Sequence, residues 1–218
     1  MNNYDIETSE YIKNGLGLFQ CGLFGDTEED HVKAYCQYVQ PKGVIVDMGC
    51  GIGTMGALIE KFVPNTTTIN VTNSTFQAKY LEDNGRKAIL SDYKNITLPD
   101  DFADFVMFNE SFGYGGEDTA LAEAARILKV GGSLAIKDYS HTDKISDGEY
   151  IDSWEYMIYP MSKILQKTEL LNLRLDFMIH PEVNVQKCHV FLANSKLKDW
   201  HDIDYKSGRT MLCKFTKI

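Results

Sequence analysis

Three glycines stand at alternate positions in Gly49-Cys50-Gly51-Ile52-Gly53, and Asp47 lies two residues before the first of them. Glycine lets a backbone turn sharply and lets a ligand approach more closely than a Cβ would permit. A carboxylate in front of such a loop suits an ammonium group and repels a pyrophosphate. Further along, Phe108-Asn109-Glu110-Ser111-Phe112-Gly113-Tyr114 sets one acid among aromatic side chains. Withdrawn from water there, Glu110 would be suited to act as a base, with Tyr114 close by. Between these two segments runs Asn70-Val71-Thr72-Asn73-Ser74-Thr75-Phe76-Gln77, which is polar but holds no acid. Dinucleotide enzymes place an acid about 20 residues beyond the glycine loop to take the ribose hydroxyls, so its absence argues against a nicotinamide cofactor.

Strands and helices must alternate to present these segments together. Asp26 or Thr27 can cap a helix carrying Val32, Tyr35, Cys36 and Val39, which Pro41 stops. Val44-Ile45-Val46 reads as a fully buried strand, and the helix after the glycines places Met55, Leu58, Ile59 and Phe62 on one face. A second strand covers Thr67 to Val71, and a helix with Phe76, Tyr80 and Leu81 ends at Asn84-Gly85. Lys87 to Leu90 and Asp104 to Phe108 give the third and fourth strands. A helix with Leu121, Ala124, Ala125 and Leu128 on its inner stripe then stops at Gly131-Gly132, and Leu134 to Lys137 is the fifth strand. This order implies right-handed crossovers and an α/β fold, an open doubly wound and mostly parallel sheet. The glycine loop then falls at the exit of the first strand, where such sheets bind ligands.

Beyond Ser140 the pattern changes. One amphipathic helix with Trp154, Met157, Ile158, Met161, Ile164 and Leu165 is expected, followed by strands near Arg174 to Ile179, Cys188 to Ala193 and Thr210 to Phe215. The loops between them are too short for helical crossovers, so antiparallel pairing is expected near the C-terminus. The chain divides into an N-terminal lid and helix (1–40), a cofactor half (41–140) and a substrate-side helix with closing strands (141–218), all within one domain.

The net charge of -9 disfavours nucleic acid and anionic membrane surfaces as partners and favours a small-molecule substrate. No apolar stretch approaches the roughly 18 to 20 residues of a membrane span, and the N-terminus lacks a basic start followed by an apolar run, so a cytoplasmic location is expected. Cys21, Cys36, Cys50, Cys188 and Cys213 form neither an even framework nor a paired metal spacing, and free thiols are expected.

These motifs resemble the class I S-adenosylmethionine-dependent methyltransferases. Within them, Asn70-Val71-Thr72-Asn73-Ser74-Thr75-Phe76-Gln77 is similar to a G-V-T-x-S-x-x-Q segment of the cyclopropane fatty acid synthase and geranyl diphosphate C-methyltransferase group, with Asn70 where Gly is usual. The resemblance covers roughly residues 15 to 140. It implies that Asp47, Gly49, Cys50, Gly51 and Gly53 hold the methionine part of S-adenosylmethionine, that Thr72 and Gln77 serve the ribose, that Asp92 accepts from the adenine amino group, and that Asn70 and Tyr93 belong to the same cofactor site. Asn109 joins them at the end of the fourth strand. Glu110 falls on an acid that both branches of the group carry, as Glu-x-Phe-Gly or Asn-Glu-Ser, and the resemblance makes it the catalytic carboxylate.

Gly17 to Gly25 resembles a Y-S-x-x-Y-F segment of the same group and is expected to lie over the cofactor. Cys21 falls on a cysteine that many cyclopropane synthases use around bicarbonate. Their fifth-strand histidine would fall at Lys137, so bicarbonate-assisted ring closure is not implied, and Cys21 is either part of the catalytic end or a buried, inert thiol. Tyr205 to Leu212 resembles the closing hairpin of the terpenoid C-methyltransferases. Trp154, Tyr156, Tyr159 and Tyr114 are candidates to line an apolar pocket. The implied activity is methylation of an alkene in a small apolar or prenyl acceptor through a carbocation, with Mg²⁺ only if the acceptor is a diphosphate. Methyl transfer to oxygen or nitrogen of a small metabolite is the alternative, and a module that binds the cofactor without turnover is a third.

Overall fold

The computed structural model describes residues 3–13, 15–18, 20, 22–93, 95–141, 149–151, 156–181 and 208–218. In chain order the elements are α1 (Asn3–Lys13), α2 (Glu28–Val39), β1 (Gly43–Met48), α3 (Thr54–Phe62), β2 (Thr66–Thr72), α4 (Thr75–Asp83), β3 (Ala88–Leu90), β4 (Ala103–Asn109), α5 (Leu121–Ile127), β5 (Leu128–His141), β6 (Glu149–Ile151), β7 (Tyr156–Ile158), α6 (Met161–Leu170), β8 (Leu173–Ile179) and β9 (Gly208–Lys217). Seven strands form one sheet in the order β3-β2-β1-β4-β5-β9-β8. The first five run parallel. β9 is antiparallel to both β5 and β8, as the short late connections require.

Alternation along the strands feeds two apolar layers. Val46, Met48, Val106 and Phe108 face one cluster with α5 and α6, while Ile45, Phe105 and Met107 face another with α2 and α3. Strands buried on both faces read as continuous apolar runs, which is why β1 and β4 are legible in the sequence. Thr27 caps α2 by accepting from Asp30 N, and Ser74 caps α4 by accepting from Gln77 N.

Two expectations need correction. Gly131-Gly132 does not end a helix ahead of the fifth strand; Leu128 already lies in β5, opposite Ala103, and the glycines fall within a register shift before Phe105 pairs with Ser133. An ion pair of Lys129 with Asp104 at 2.8 Å and a hydrogen bond from Lys217 Nζ to Leu128 O at 2.6 Å hold that early start. Met157 and Ile158 are on β7, paired with β6, rather than on a helix. Pro160 is the reason: its ring drives the preceding residue out of the helical region, so α6 begins only at Met161. Phe76 and Tyr80 lie on α4 as expected, Phe76 exposed, and the helix's buried face is Gln77, Ala78 and Leu81. Finally, α1 has no counterpart in the sequence reading. Trp154, Cys21, Cys188, the strand expected over residues 188–193, and Tyr205 to Ser207 lie outside the described residues.

Candidate functional site

β1 ends at Met48, and the chain turns through Gly49, Gly51 and Gly53 with φ of 80°, 56° and 78°, the left-handed region that glycine tolerates best. The N–H groups of Gly49 and Cys50 both donate to Val71 O, at 2.9 and 3.0 Å, which moors the loop to the end of β2. A Cβ on Gly49 would stand within 2.2 Å of the Tyr93 hydroxyl and 2.6 Å of Ser111 Cβ. Tyr93 therefore lies directly on the loop, with its ring edge-on to Phe108 at 5.7 Å, while Asp92 beside it is exposed. Below Gly53 sit Asn70, Leu81 and Arg86.

The loop fits the ammonium of an amino-acid cofactor. Asp47 is 2% exposed, and among the described residues its Oδ2 has no hydrogen-bond partner. Burial pushes its carboxyl up to about 7, opposed by the Arg86 guanidinium. A buried carboxylate of this kind is costly until a cation or donor reaches it. Asn70 Oδ1 and Arg86 Nε are likewise buried without partners among the described residues. Asn109 closes β4, buried, at the same end of the sheet.

Thr72 and Gln77 are hydrogen-bonded to each other: Thr72 Oγ1 donates to Gln77 Oε1 at 2.5 Å. The unforeseen helix α1 completes the arrangement. Gln77 Nε2 donates to Thr8 Oγ1 at 2.9 Å, and Asp5 Oδ1 accepts from Ser74 Oγ at 2.6 Å and from Phe76 N at 3.3 Å. The N-terminal helix is thus laid across the end of β2 and the start of α4. Behind it, Glu28 Oε1 accepts from Gly17 N and Leu18 N, both at 2.7 Å, and a Cβ on Gly17 would stand 2.8 Å from Thr54 Oγ1. The segment before α2 therefore runs past Thr54, the residue that follows the glycine loop.

Glu110 sits one residue past β4 with φ 52°, a backbone conformation that costs a non-glycine residue about 1 kcal/mol. Its carboxylate is 5% exposed. Oε1 lies 2.5 Å from Lys137 Nζ and accepts from Gly22 N at 3.2 Å, while the Tyr139 hydroxyl is 3.4 Å from Oε2. Lys137 and Tyr139 are two apart on β5, so the pleat sends both to the same face. Ser111 hydrogen-bonds Met48 O at 2.5 Å, which ties the Glu110 turn to the glycine loop. Lys137, Tyr139 and Gln20 were missed as site residues. A lysine and a tyrosine on alternate positions at the carboxyl end of a parallel strand were the available signal.

Tyr114 lies on the other side of this turn, edge-on to Tyr156 with ring centres 4.5 Å apart. The Tyr156 hydroxyl donates to Asp138, which also accepts from Phe112 N at 2.9 Å and Tyr139 N at 2.7 Å. Burial pushes the Asp138 carboxyl up to about 7 against those donors. Tyr159 packs edge-on against Phe112 at 5.6 Å. Cys36, Cys50 and Cys213 are free thiols. Among the described residues no group of three or more His, Cys, Asp or Glu side chains could hold a metal ion, and no helix is long and apolar enough to cross a membrane. The Mg²⁺ considered with a diphosphate acceptor finds no such cluster among the described residues.

Residues 46–136 match the family model described as a methyltransferase domain. The match falls on the part of the chain that carries the glycine loop, the acid before it and the parallel strands of the seven-stranded sheet. One curated relative is the ubiquinone/menaquinone biosynthesis C-methyltransferase UbiE of Neisseria meningitidis serogroup C (strain 053442), 28% identical over 120 residues, or 52% of this chain. The chain spans about half, 48%, of that relative's length. Among solved structures, the geranyl diphosphate C-methyltransferase of Streptomyces coelicolor A3(2), in complex with Mg²⁺, geranyl diphosphate and S-adenosyl-L-homocysteine, superposes with a TM-score of 0.71 at 17% identity, covering 100% of this chain and 99% of that one. A Galdieria sulphuraria protein assigned as a sarcosine dimethylglycine methyltransferase gives 0.74 at 14% identity, covering 99% and 98%. At such identities the structural likeness speaks for the fold.

Proposed function

We propose that this chain transfers a methyl group from S-adenosylmethionine to a carbon atom of a small apolar acceptor, an alkene of the prenyl kind. The observation that carries this reading is Glu110, buried beneath the N-terminal segment and joined through Ser111 to the glycine loop. The cofactor supplies a methyl group already activated by its sulfonium. The protein's work is to hold the acceptor in line with that methyl group and to exclude water.

Asp47 and the glycine loop hold the amino-acid end of the cofactor, with Asn109 at the same level. Thr72, Gln77 and Asn70 stand at the ribose, and Asp92 and Tyr93 at the adenine. Attack by a double bond leaves a cation on the acceptor, and the faces of nearby aromatic rings stabilise it. Glu110 then takes a proton from the neighbouring carbon, and Tyr139 steadies the carboxylate. A diphosphate acceptor would bring Mg²⁺ with it, as in the Streptomyces complex.

Incubation with methyl-labelled S-adenosylmethionine and a panel of prenyl diphosphates, lipids and small amines tests the proposal. Label is expected on carbon in the product of an alkene-bearing acceptor. Label found on nitrogen or oxygen alone would overturn it.

A further inference from the structure

Lys137 grips Glu110 twice. Its carbonyl accepts from Glu110 N at 2.7 Å, and its ammonium lies 2.5 Å from Glu110 Oε1. The side chain is 0% exposed, donates also to Gln20 Oε1 at 3.0 Å, and sits 5.6 Å from the Phe24 ring centre. His31, the imidazole nearby, adds no second positive charge: it is kept neutral by burial and by Lys137 itself, and its Nδ1 accepts from Phe24 N at 2.8 Å.

An uncompensated carboxylate beside the transferred methyl group would draw in any cation, an alkylammonium acceptor included. With an ammonium at contact distance the two charges leave only a dipole at longer range. We infer that Lys137 positions Glu110 and neutralises its charge, so that the acceptor end takes a molecule uncharged at its reacting carbon and does not select alkylammonium acceptors. The inference rests on the reading that Glu110 stands beside the transferred methyl group.

Sinefungin provides a probe that needs no acceptor, because it carries an amine where the cofactor carries its methyl group, whereas S-adenosylhomocysteine carries nothing there. Calorimetry on the full chain gives the preference for sinefungin over S-adenosylhomocysteine. Lys137→Met exposes the carboxylate charge and should raise that preference at least tenfold. Lys137→Arg should keep the wild-type value, and Glu110→Gln with Lys137→Met should cancel the rise. An unchanged preference in Lys137→Met overturns the inference. Removing one partner of a buried ion pair is destabilising, so Lys137→Met can fail to fold. The complementary variant Glu110→Gln, with Lys137 in place, then decides: the preference should drop at least tenfold, and no change overturns the inference. If wild-type protein binds neither ligand, the methyltransferase proposal itself fails, which is a distinct result.

Discussion

The two ends of this site are built in different ways. At the end proposed to hold the cofactor, Asp47, the glycines, Asn70, Thr72 and Gln77 come from two successive strand-to-helix units, β1–α3 and β2–α4. At the acceptor end, Glu110 meets Gly22, 88 residues away, and Lys137 meets Gln20, 117 residues away. The first end can be read from short motifs because each motif largely dictates its own geometry. The second depends on how the N-terminal segment, β4 and β5 converge, which no local pattern encodes. The comparison implies that cofactor binding and chemistry should respond separately to mutation.

The largest separation is expected from Gly51→Val. A β-branched residue at φ 56° is strained, and its side chain would occupy the ligand's approach, so binding of S-adenosylhomocysteine should weaken at least about a hundredfold, or about 2.7 kcal/mol. Isothermal calorimetry measures it, and wild-type affinity in this variant would break the assignment of the cofactor end.

Glu110→Gln is the matching test of the other end. Turnover on whichever acceptor takes label should fall about a hundredfold or more, the scale of a positioned base, while S-adenosylhomocysteine affinity changes less than about threefold. Equal losses in both measurements would erase the distinction between the two ends. If the acceptor is an alkene, the variant should also release products in which the cation captured water or lost its proton elsewhere.

A pH series sharpens the cofactor end. Asp47, raised to about 7 in the ligand-free protein, is mostly protonated at pH 6 and ionised at pH 8. The cofactor's ammonium prefers the ionised form, so affinity should rise through pH 7, by up to about tenfold per pH unit below it. Asp47→Asn should bind more weakly and show no such rise. The folding sign is opposite: a carboxyl raised when folded contributes stability at low pH that is lost as pH rises towards 7. The ligand-free protein should therefore lose stability between about pH 4 and 7, as urea melts at several pH values would register.

The smallest effect belongs to the N-terminal helix α1. Asp5→Ala removes the acceptor for Ser74 Oγ and Phe76 N, a contact worth about 0.5–1.5 kcal/mol. S-adenosylhomocysteine affinity should fall by about tenfold at most, and proteolysis near the N-terminus should quicken. A loss as large as that of Gly51→Val would make α1 part of the cofactor end.

Much of the fold and one side of the site were legible in residue order. The apolar runs of β1 and β4, the Thr27 cap and the glycine loop each carry a local physical signature. Tyr156 to Ile158 looked helical because apolar spacing over a few residues cannot tell a strand from a helix, and Pro160 was the overlooked signal. The early start of β5 depends on Ala103, Asp104 and Lys217 reaching it from other strands. α1 escaped notice because the polar contacts of Asp5 and Thr8 with α4 help to hold it, and contacts of that kind leave no periodicity.

By itself the sequence determined the parallel sheet, the glycine loop with its acid, and the place of Glu110 after the fourth strand, because strand burial, left-handed turns and capping are local demands on residue type. Only the tertiary structure decided what Glu110 touches. Lys137 read as a missing histidine along the chain; in the fold it is the buried cation that holds the carboxylate, because alternate positions of β5 and a segment from the far N-terminus converge on one turn.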